Sequence, residues 1–407
     1  MPAPAGEPEH GLPPRLTPNR PLAPPQYWIE LLDADQYATR KKAVAHLLSD
    51  AHHPNRTAEA RRAVHESLLQ ALEHESLEVR WQSRRLLRQI EQATREDQIE
   101  RLLNPRADAA SIDLLGWQSF AELVGDDRAS RRFYAHLYQA QTQRIESWLR
   151  VNVSETPRAM EPIATDARRV FNSLQTDDLD GWALLLFVDS LTPRRTQADL
   201  STPMMIALAH SNLAPDLARA ADAALLRRLI RAWLVRHATI GNRCDQLLIA
   251  MRYQCKPLAT QLCMRILDDR DCPASWQTTA MLAASALGSS PSTFPANHLD
   301  AILISRLGDK RTAARWQLVP ARQTTIQTQV GDVAMAMLLH RHQLDPRRAG
   351  FSELQADPML IYRDHSIGFG DDSQRERAHR QAMGLLREIG FDLESFSAHA
   401  AATDVAR

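Results

Sequence analysis

Residues 35–47 read DQYATRKKAVAHL, and residues 75–87, forty positions later, read ESLEVRWQSRRLL. Both stretches begin with an acidic residue, carry an arginine at Arg40 or Arg80, and end on Leu47 or Leu87. A period of about forty residues is typical of helix–turn–helix repeats, which stack because one unit alone cannot bury its apolar face. The sequence therefore predicts a helical repeat array, an α-solenoid, at the front of the chain.

The apolar residues of the two stretches recur at helical spacing. Ala43 and Leu47 lie on the buried stripe of one predicted helix, and Ser76 is a suitable N-cap for the equivalent helix of the next unit. Arg40 and Arg80 occupy equivalent turns, and we expect them to pair with acidic groups of neighbouring repeats. The length of the unit and its pattern are those of HEAT repeats.

Composition supports helices and excludes few functions. The chain has 407 residues, only 14 glycines and 6% aromatic residues, a balance that favours helices over sheets. Equal numbers of basic and acidic residues give zero formal net charge, so a polyanion-binding surface would have to be local. No run of 18 apolar residues occurs, and no membrane-spanning helix is expected.

The chain divides into four predicted segments. Residues 1–25 hold nine of the 23 prolines and are expected to be a disordered or extended leader. Residues 26–104 form the HEAT-like repeat pair, and residues 105–342 an irregular α-helical array. Residues 343–407 form a loop-rich C-terminal cap with a helix from about Asp372 to Glu388. The predicted fold class is thus all-α. The absence of a visible signal peptide favours the cytoplasm, or the periplasm if a signal has been trimmed.

Cofactor motifs are not recognisable. His65-Glu66 and His74-Glu75 are similar to the His-Glu pairs of HEAT-repeat di-iron hydroxylases, but they lie nine residues apart instead of one per repeat. Around Asp178 the chain resembles half an EF-hand loop, yet position twelve would be Phe187, so a helix N-cap from Asp177, Asp178 or Asp180 is favoured. No cofactor is predicted.

The four cysteines fall within 29 residues, as Cys244, Cys255, Cys263 and Cys272. They lack the C-x2-C spacing of zinc sites. Cys255 and Cys263 would lie about 12 Å apart along one helix, beyond disulfide reach. Buried free thiols are the favoured interpretation, and a disulfide from Cys244 to Cys255 or Cys263 is the alternative.

No nucleophile elbow, Walker-A loop, H-E-x-x-H or dinucleotide-binding fingerprint occurs. Two helical stretches are rich in arginine and contain a tryptophan, Trp81 or Trp233. HEAT-like proteins can bind DNA through such basic faces, but the neutral chain and the interleaved Glu and Asp favour ordinary solvated faces, on which the arginine stems cover apolar surface. The candidate basic faces comprise Arg80, Arg84, Arg85 and Arg88, and Arg227, Arg228, Arg231 and Arg236.

Four stretches resemble a family of uncharacterised HEAT-repeat-like proteins abundant in planctomycete bacteria. They are the repeat pair, residues 115–133 with Leu-Gly-Trp and Gly-Asp-Asp motifs, residues 180–187, and residues 328–336 with the later Gly-Phe pairs. In that family an arginine usually precedes the aspartate of the last stretch, whereas this chain has Gly331 before Asp332. The resemblance implies an α-solenoid and no catalytic residue, and members often look exported.

The predicted function is a non-catalytic scaffold that holds another protein or peptide. Nucleic-acid binding through the basic faces is the alternative, and a HEAT-like enzyme is a more distant one. The C-terminal segment with Asp332, Phe351 and Phe369 is expected to cap the array. The candidate interaction patch, whose alternative interpretation is a turn between repeats with a buried tryptophan, comprises Leu115, Gly116, Trp117, Phe120, Gly125 and Asp126.

Overall fold

A computed structural model of the chain describes residues 23–52, 57–152, 157–174, 178–191, 198–210, 223–237, 242–288, 296–318 and 324–391. Most of the predicted leader and the last sixteen residues, 392–407, lie outside the described residues. The protein is predominantly helical, and its few strands are short. It divides into two compact units, Met1–Leu114 and Leu115–Arg407.

The first unit contains four α-helices among its described residues. Short 3-10 turns follow the first and third helices, at Leu31–Asp33 and Ala71–Glu73, and another lies at Ala109–Ser111. The first helix begins at a proline that the sequence assigned to the leader, because proline is well suited to the first turn of a helix. The helices are α1 (Pro25–Glu30), α2 (Tyr37–His52), α3 (Ala58–Gln70) and α4 (Leu77–Leu103).

The forty-residue repeat is present in the hydrogen bonds as well as in the sequence. Arg40 donates to the carbonyl of Ala34 (2.6 Å), and Arg80 donates to the carbonyl of His74 (3.1 Å). The expected pairing of these arginines with acidic groups of a neighbouring repeat is therefore wrong. Each side chain instead binds a carbonyl six residues upstream, just after the 3-10 turn, where no helical N–H reaches it.

Helix α4 is capped as the sequence predicted. The Ser76 hydroxyl accepts from the Val79 N–H and donates to Asp33 (2.7 Å), the last residue of the equivalent 3-10 turn in the preceding repeat. The first unit extends past the predicted boundary at residue 104. There the Asp113 N–H donates to Gln98 (3.1 Å), and Leu114 is buried.

The second unit begins with a run of eleven helices in the described residues. Two of them are buried on nearly every side, α9 over residues 181–190 and α14 over residues 277–285, as expected of helices at the centre of a core. The eleven are α5 (Trp117–Val124), α6 (Arg128–Ala140), α7 (Thr142–Asn152), α8 (Pro157–Ser173), α9 (Leu179–Leu191), α10 (Ala198–His210), α11 (Ala223–Arg236), α12 (Arg243–Arg252), α13 (Lys256–Asp268), α14 (Ala274–Leu287) and α15 (Ala296–Arg306).

An antiparallel β-hairpin follows, so the C-terminal region of this predominantly helical protein also contains short strands, which the sequence did not predict. Strand β1 (Thr312–Leu318) pairs with β2 (Thr324–Gln329), and Trp316 lies opposite Ile326. The alternating Thr and Gln of β2 is a strand signal that helical periodicity did not cover. A two-residue pair, β3 (Ala356–Asp357) with β4 (Ile361–Tyr362), adds a second small sheet.

Two further helices complete the unit, α16 (Val330–Arg341) and α17 (Asp372–Glu388), the latter with the predicted bounds. Asp332, at the start of α16, is fully buried and accepts from the Nε of Arg375 (3.1 Å) and the Nε2 of His379 (3.0 Å). The basic partner of Asp332 therefore comes from α17 and not from the preceding position, which must be glycine. A Cβ on Gly331 would lie 2.5 Å from the carbonyl oxygen of Leu307.

The described residues contain no helix that combines the length and the apolar character needed to cross a bilayer.

A pair of glycine substitutions tests this packing. Gly331→Ala is expected to lower the free energy of unfolding by about 1–3 kcal/mol, because its Cβ meets a backbone carbonyl that cannot rotate away. Gly384→Ala, in α17, is expected to raise it by about 0.5–1 kcal/mol, since nothing lies within 4 Å of the added methyl and alanine favours the helix. Urea denaturation of both variants measures this, and equal effects would contradict the packing.

Candidate interaction surface

Helix α4 carries an exposed apolar and basic face. Leu77 is 75% exposed and Trp81 52% exposed, one helical turn apart. The guanidinium of Arg85 lies over the Trp81 ring, 5.8 Å from its centroid, which is a cation–π contact. Arg84 and Arg88 are also exposed, and the Arg88 Nε donates to the Arg84 carbonyl (3.3 Å). From residue 77 to residue 88 this face runs about 16 Å along the helix.

The preceding repeat exposes an aromatic residue at the equivalent position. Tyr37, forty residues before Leu77, is 71% exposed at the first position of α2. The Arg40 guanidinium lies 6.0 Å from its ring centroid. Among the described residues, the exposed aromatic side chains are Tyr27, Tyr37 and Trp81, all in the first unit.

These side chains together form what we call the aromatic–arginine face. Tryptophan, tyrosine and arginine are the residue types that most often carry binding energy at protein interfaces. An exposed apolar group rimmed by charge is also typical of such a surface. The face comprises Tyr37, Leu77, Trp81, Arg84, Arg85 and Arg88.

The first predicted basic cluster contributes to this face only in part. Arg84, Arg85 and Arg88 are exposed, whereas Arg80 is directed to the His74 carbonyl and serves the turn. Sequence reasoning missed Tyr37 and Leu77 as surface residues. The sequence did contain a signal for their exposure. Both residues occupy the first position of a helix, and the buried residues of that helix begin two or more positions later.

The second predicted basic cluster, on α11, is largely engaged within the unit. Arg228 donates to the Val124 carbonyl (3.2 Å) and pairs with Asp127, and Arg236 donates to the Ser190 carbonyl (2.9 Å). Arg231 is exposed, and Arg227 is partly buried. Trp233 is fully buried, so no exposed aromatic accompanies these arginines.

The predicted interaction patch around Leu115 lies mostly in the interior. Trp117 and Phe120 are fully buried, and the Tyr134 hydroxyl donates to the Leu115 carbonyl. Gly116 has φ +82°, and a Cβ there would lie 2.5 Å from Leu149. The aromatic side chains of this patch are thus not available to a partner, because the turn before α5 packs them against α6 and α7.

The exposed end of the same patch is an ion-pair site. Asp126 binds Arg131 through both carboxylate oxygens, and this hydrogen bonding lowers the pKa of Asp126. Asp127 caps α6 through the Ser130 N–H (2.8 Å). Its hydrogen bond with Arg228, followed by the bond from Ser130, lowers the pKa of Asp127 to about 2. Gly125, with φ +96°, allows the turn that leads from the end of α5 to Asp126 and Asp127.

A buried polar cluster joins α9, α10 and α11. Asp189 accepts from the Trp233 indole N–H (2.7 Å) and the Ser201 hydroxyl (2.9 Å), and the His237 Nε2 lies 3.1 Å from the same carboxylate. In a Ser-His-Asp triad the serine hydroxyl donates to the histidine, whereas here Ser201 donates to the carboxylate that His237 also contacts. All four side chains are at most 5% exposed, so this cluster joins the three helices in the interior.

Other predicted sites can be placed. Asp178 caps α9 by accepting from the Gly181 N–H (2.8 Å), as expected, while Asp177 lies outside the described residues. His74 accepts from the Ser76 N–H (3.1 Å) within its turn. No three His, Cys, Asp or Glu side chains are grouped as metal ligands in the portion of the chain that the structure describes.

All four cysteines are buried free thiols, which confirms the favoured interpretation. Burial raises the pKa of each thiol, to about 11 for Cys244. A thiolate is therefore disfavoured at every one of these positions at neutral pH.

Comparison with models of protein families, with curated proteins and with solved structures finds no match to this chain. The resemblance to the planctomycete family stays a prediction based on the sequence motifs.

The thiol burial predicts a loss of stability in alkaline solution. Because the pKa of Cys244 is higher in the folded chain than in the unfolded chain, its contribution is complete below about pH 9 and is lost as the pH rises through about 11. Each such thiol makes the free energy of unfolding fall more steeply with pH, by up to about 1.4 kcal/mol per pH unit. Urea denaturation across this range measures the slope. The Cys244→Ala variant should lose stability less steeply than the original chain, and identical slopes would contradict the prediction.

Proposed function

We propose that this protein is a non-catalytic, HEAT-like α-solenoid scaffold that binds an acidic segment of another protein at the aromatic–arginine face. The observation that carries the proposal is the exposure of Trp81 and Leu77 beside three arginines, on a helix whose opposite face is buried. Burying such an apolar pair against a partner removes it from water, which is favourable at roughly 25 cal/mol per Å².

The solenoid part of the proposal is supported by the repeated turn. The same arginine-to-carbonyl bond occurs twice at a forty-residue interval. Each time the arginine lies in the first turn of a helix whose first residue, Tyr37 or Leu77, is exposed. A scaffold of stacked units presents equivalent positions side by side, which suits an extended peptide. The long helical run of the second unit is compatible with further, irregular units.

The charge of the face selects the partner. Three arginines within five positions create a local positive potential on an otherwise neutral chain, so carboxylates are the complementary groups. Leu77 and Tyr37 require apolar contacts as well, which a peptide of mixed acidic and apolar residues supplies. Nucleic acid would satisfy the arginines and could stack on Trp81, but it would leave the Leu77 side chain without an apolar partner.

Fluorescence anisotropy with defined probes tests this function. The probes are a labelled peptide of Asp, Glu, Leu and Phe, the matching peptide with Lys in place of the acidic residues, and an oligodeoxythymidine. We expect the acidic peptide to bind and the Lys peptide to fail. Trp81→Ala should weaken binding roughly thirtyfold, the effect of losing about 2 kcal/mol at a hot spot.

Leu69→Ala is the matched control, since Leu69 is an exposed leucine (46%) of the same unit outside the face. It should leave binding unchanged. Arg85→Glu combined with Arg88→Glu should abolish binding of the acidic peptide. Preferential, salt-sensitive binding of the oligonucleotide would replace the proposal with nucleic-acid recognition, and equal binding of both peptides would refute it.

A further inference from the structure

An open cavity of ≈ 660 Å³ lies in the second unit, where α14 and α16 end near the small β3–β4 sheet. Its wall includes Ser285 from α14, His340 and Arg341 from α16, and Tyr362 from β4. Ligand sites of proteins typically fall between about 300 and 1,000 Å³. The cavity is far from the aromatic–arginine face in sequence, and the inference drawn from it does not depend on the proposed function.

The cavity wall contains a buried hydroxyl that lacks a protein partner. Ser285 is only 7% exposed, and its Oγ has no hydrogen-bond partner among the described residues. A buried hydroxyl left unsatisfied costs about 1–3 kcal/mol, so such groups nearly always have a partner. The two threonine hydroxyls of α14 do bond within the helix, since Thr278 and Thr279 both donate to the Ser275 carbonyl (2.9 Å). Because Ser285 lines the cavity, its hydroxyl can be satisfied by a ligand there.

Two further groups in the wall are neutral hydrogen-bonding side chains. The Tyr362 hydroxyl lies 3.5 Å from the Nδ1 of His340, and the two rings meet edge to face at 5.6 Å between centroids. Burial, followed by the charge of Arg341, lowers the pKa of His340. Burial and the nearby Asp345 raise the pKa of Tyr362. At neutral pH the imidazole is thus uncharged and the phenol keeps its proton.

Two guanidinium groups are held in place at the cavity wall. The Arg341 Nε bonds to the buried Asp300 (2.5 Å), and the Arg347 Nη2 donates to the Leu354 carbonyl (2.9 Å). Among the described residues of the wall, the one acidic side chain is that of Asp345, which is half-exposed and accepts from the Arg347 backbone N–H (3.0 Å). Guanidinium groups fixed by such bonds are suited to carboxylate and phosphate oxygens.

We propose that this cavity binds a small organic anion, in which a phosphate or carboxylate group faces Arg341 and Arg347 and hydroxyl groups face Ser285 and the His340–Tyr362 pair. A hydroxyl-bearing ligand satisfies the Ser285 Oγ, and its anionic group is attracted by the two guanidinium groups, each of which also contacts one carboxylate, Asp300 or Asp345. The polar wall excludes a purely apolar ligand, which would leave these groups unpaired.

Isothermal titration calorimetry of the full chain tests the site with named probes. Glucose 6-phosphate and citrate represent the two anionic groups, inorganic phosphate lacks the hydroxyl-bearing carbon skeleton, and glucose lacks the charge. We expect one of the two organic anions to bind with a Kd of about 1 mM or tighter. Inorganic phosphate should bind at least about tenfold more weakly, and glucose should not bind.

Ser285→Ala distinguishes a ligand site from a structural residue. Removing an unsatisfied buried hydroxyl is expected to leave the ligand-free chain as stable as before or more stable, yet to weaken the organic anion about tenfold. Tyr362→Phe should weaken it by a similar factor, and Arg347→Gln should weaken it further because a charge is lost. Trp81→Ala, in the other unit, should not change it.

No binding of either organic anion to the folded chain would overturn the proposal. Binding that is unchanged in Ser285→Ala and Tyr362→Phe would also overturn it, because the anion would then bind elsewhere. A chain that binds the anion but not the acidic peptide would refute only the proposed scaffold function, so the two ideas fail separately.

Discussion

The first unit depends on one hydrogen bond made twice, from an arginine side chain to the carbonyl that follows a 3-10 turn. That carbonyl has no helical N–H within reach, so without the arginine it would be left unpaired at a partly buried turn. The bond ties the first turn of α2 or α4 back to the 3-10 turn that precedes it. The buried residues of α4, such as Val79 and Ser83, lie on a different side of the helix from Leu77 and Trp81, which are exposed beside the arginines.

The two repeats agree on their inner side and differ on their outer side. Ala43 and Ser83 are both fully buried, and the leucines one turn later, Leu47 and Leu87, are buried as well. These inner positions pack against the core, whereas the outer positions are exposed and free to vary. Lys41 occupies the position of Trp81, and Ala45 that of Arg85. The outer side therefore changes from small and basic to aromatic and basic between the two repeats.

In the second unit the buried groups are polar as well as apolar, and each has a different role. Asp332 is fully buried, and its carboxylate contacts the Arg375 and His379 side chains. These contacts hold α16 and α17 together. Breaking such a pair from one side is strongly destabilising, because it leaves an uncompensated charge. Ser285 is the contrasting case, since its hydroxyl is buried beside a cavity and has no partner in the described chain.

The sequence alone was sufficient for the helices with a clear period and for their caps. Ser76 and Asp178 are local caps whose partners lie three residues away, and α17 has the predicted bounds because its amphipathic pattern is confined to one segment. It also placed Arg84, Arg85 and Arg88 on one face of α4, but it added Arg80, whose side chain binds the His74 carbonyl. The β1–β2 hairpin was missed, because strands of six or seven residues give too weak an alternation to outweigh a helical background.

The remaining properties were decided by tertiary packing. Trp81 and Trp117 are each followed by Gln-Ser in the sequence, yet Trp81 is 52% exposed and Trp117 is fully buried. The difference arises because Tyr134 and Leu149, from two later helices, close over the turn before Trp117. Partners so distant in sequence leave no local signal. Local spacing therefore determined where helices begin and end, and long-range contacts determined which of their side chains are buried and which remain exposed.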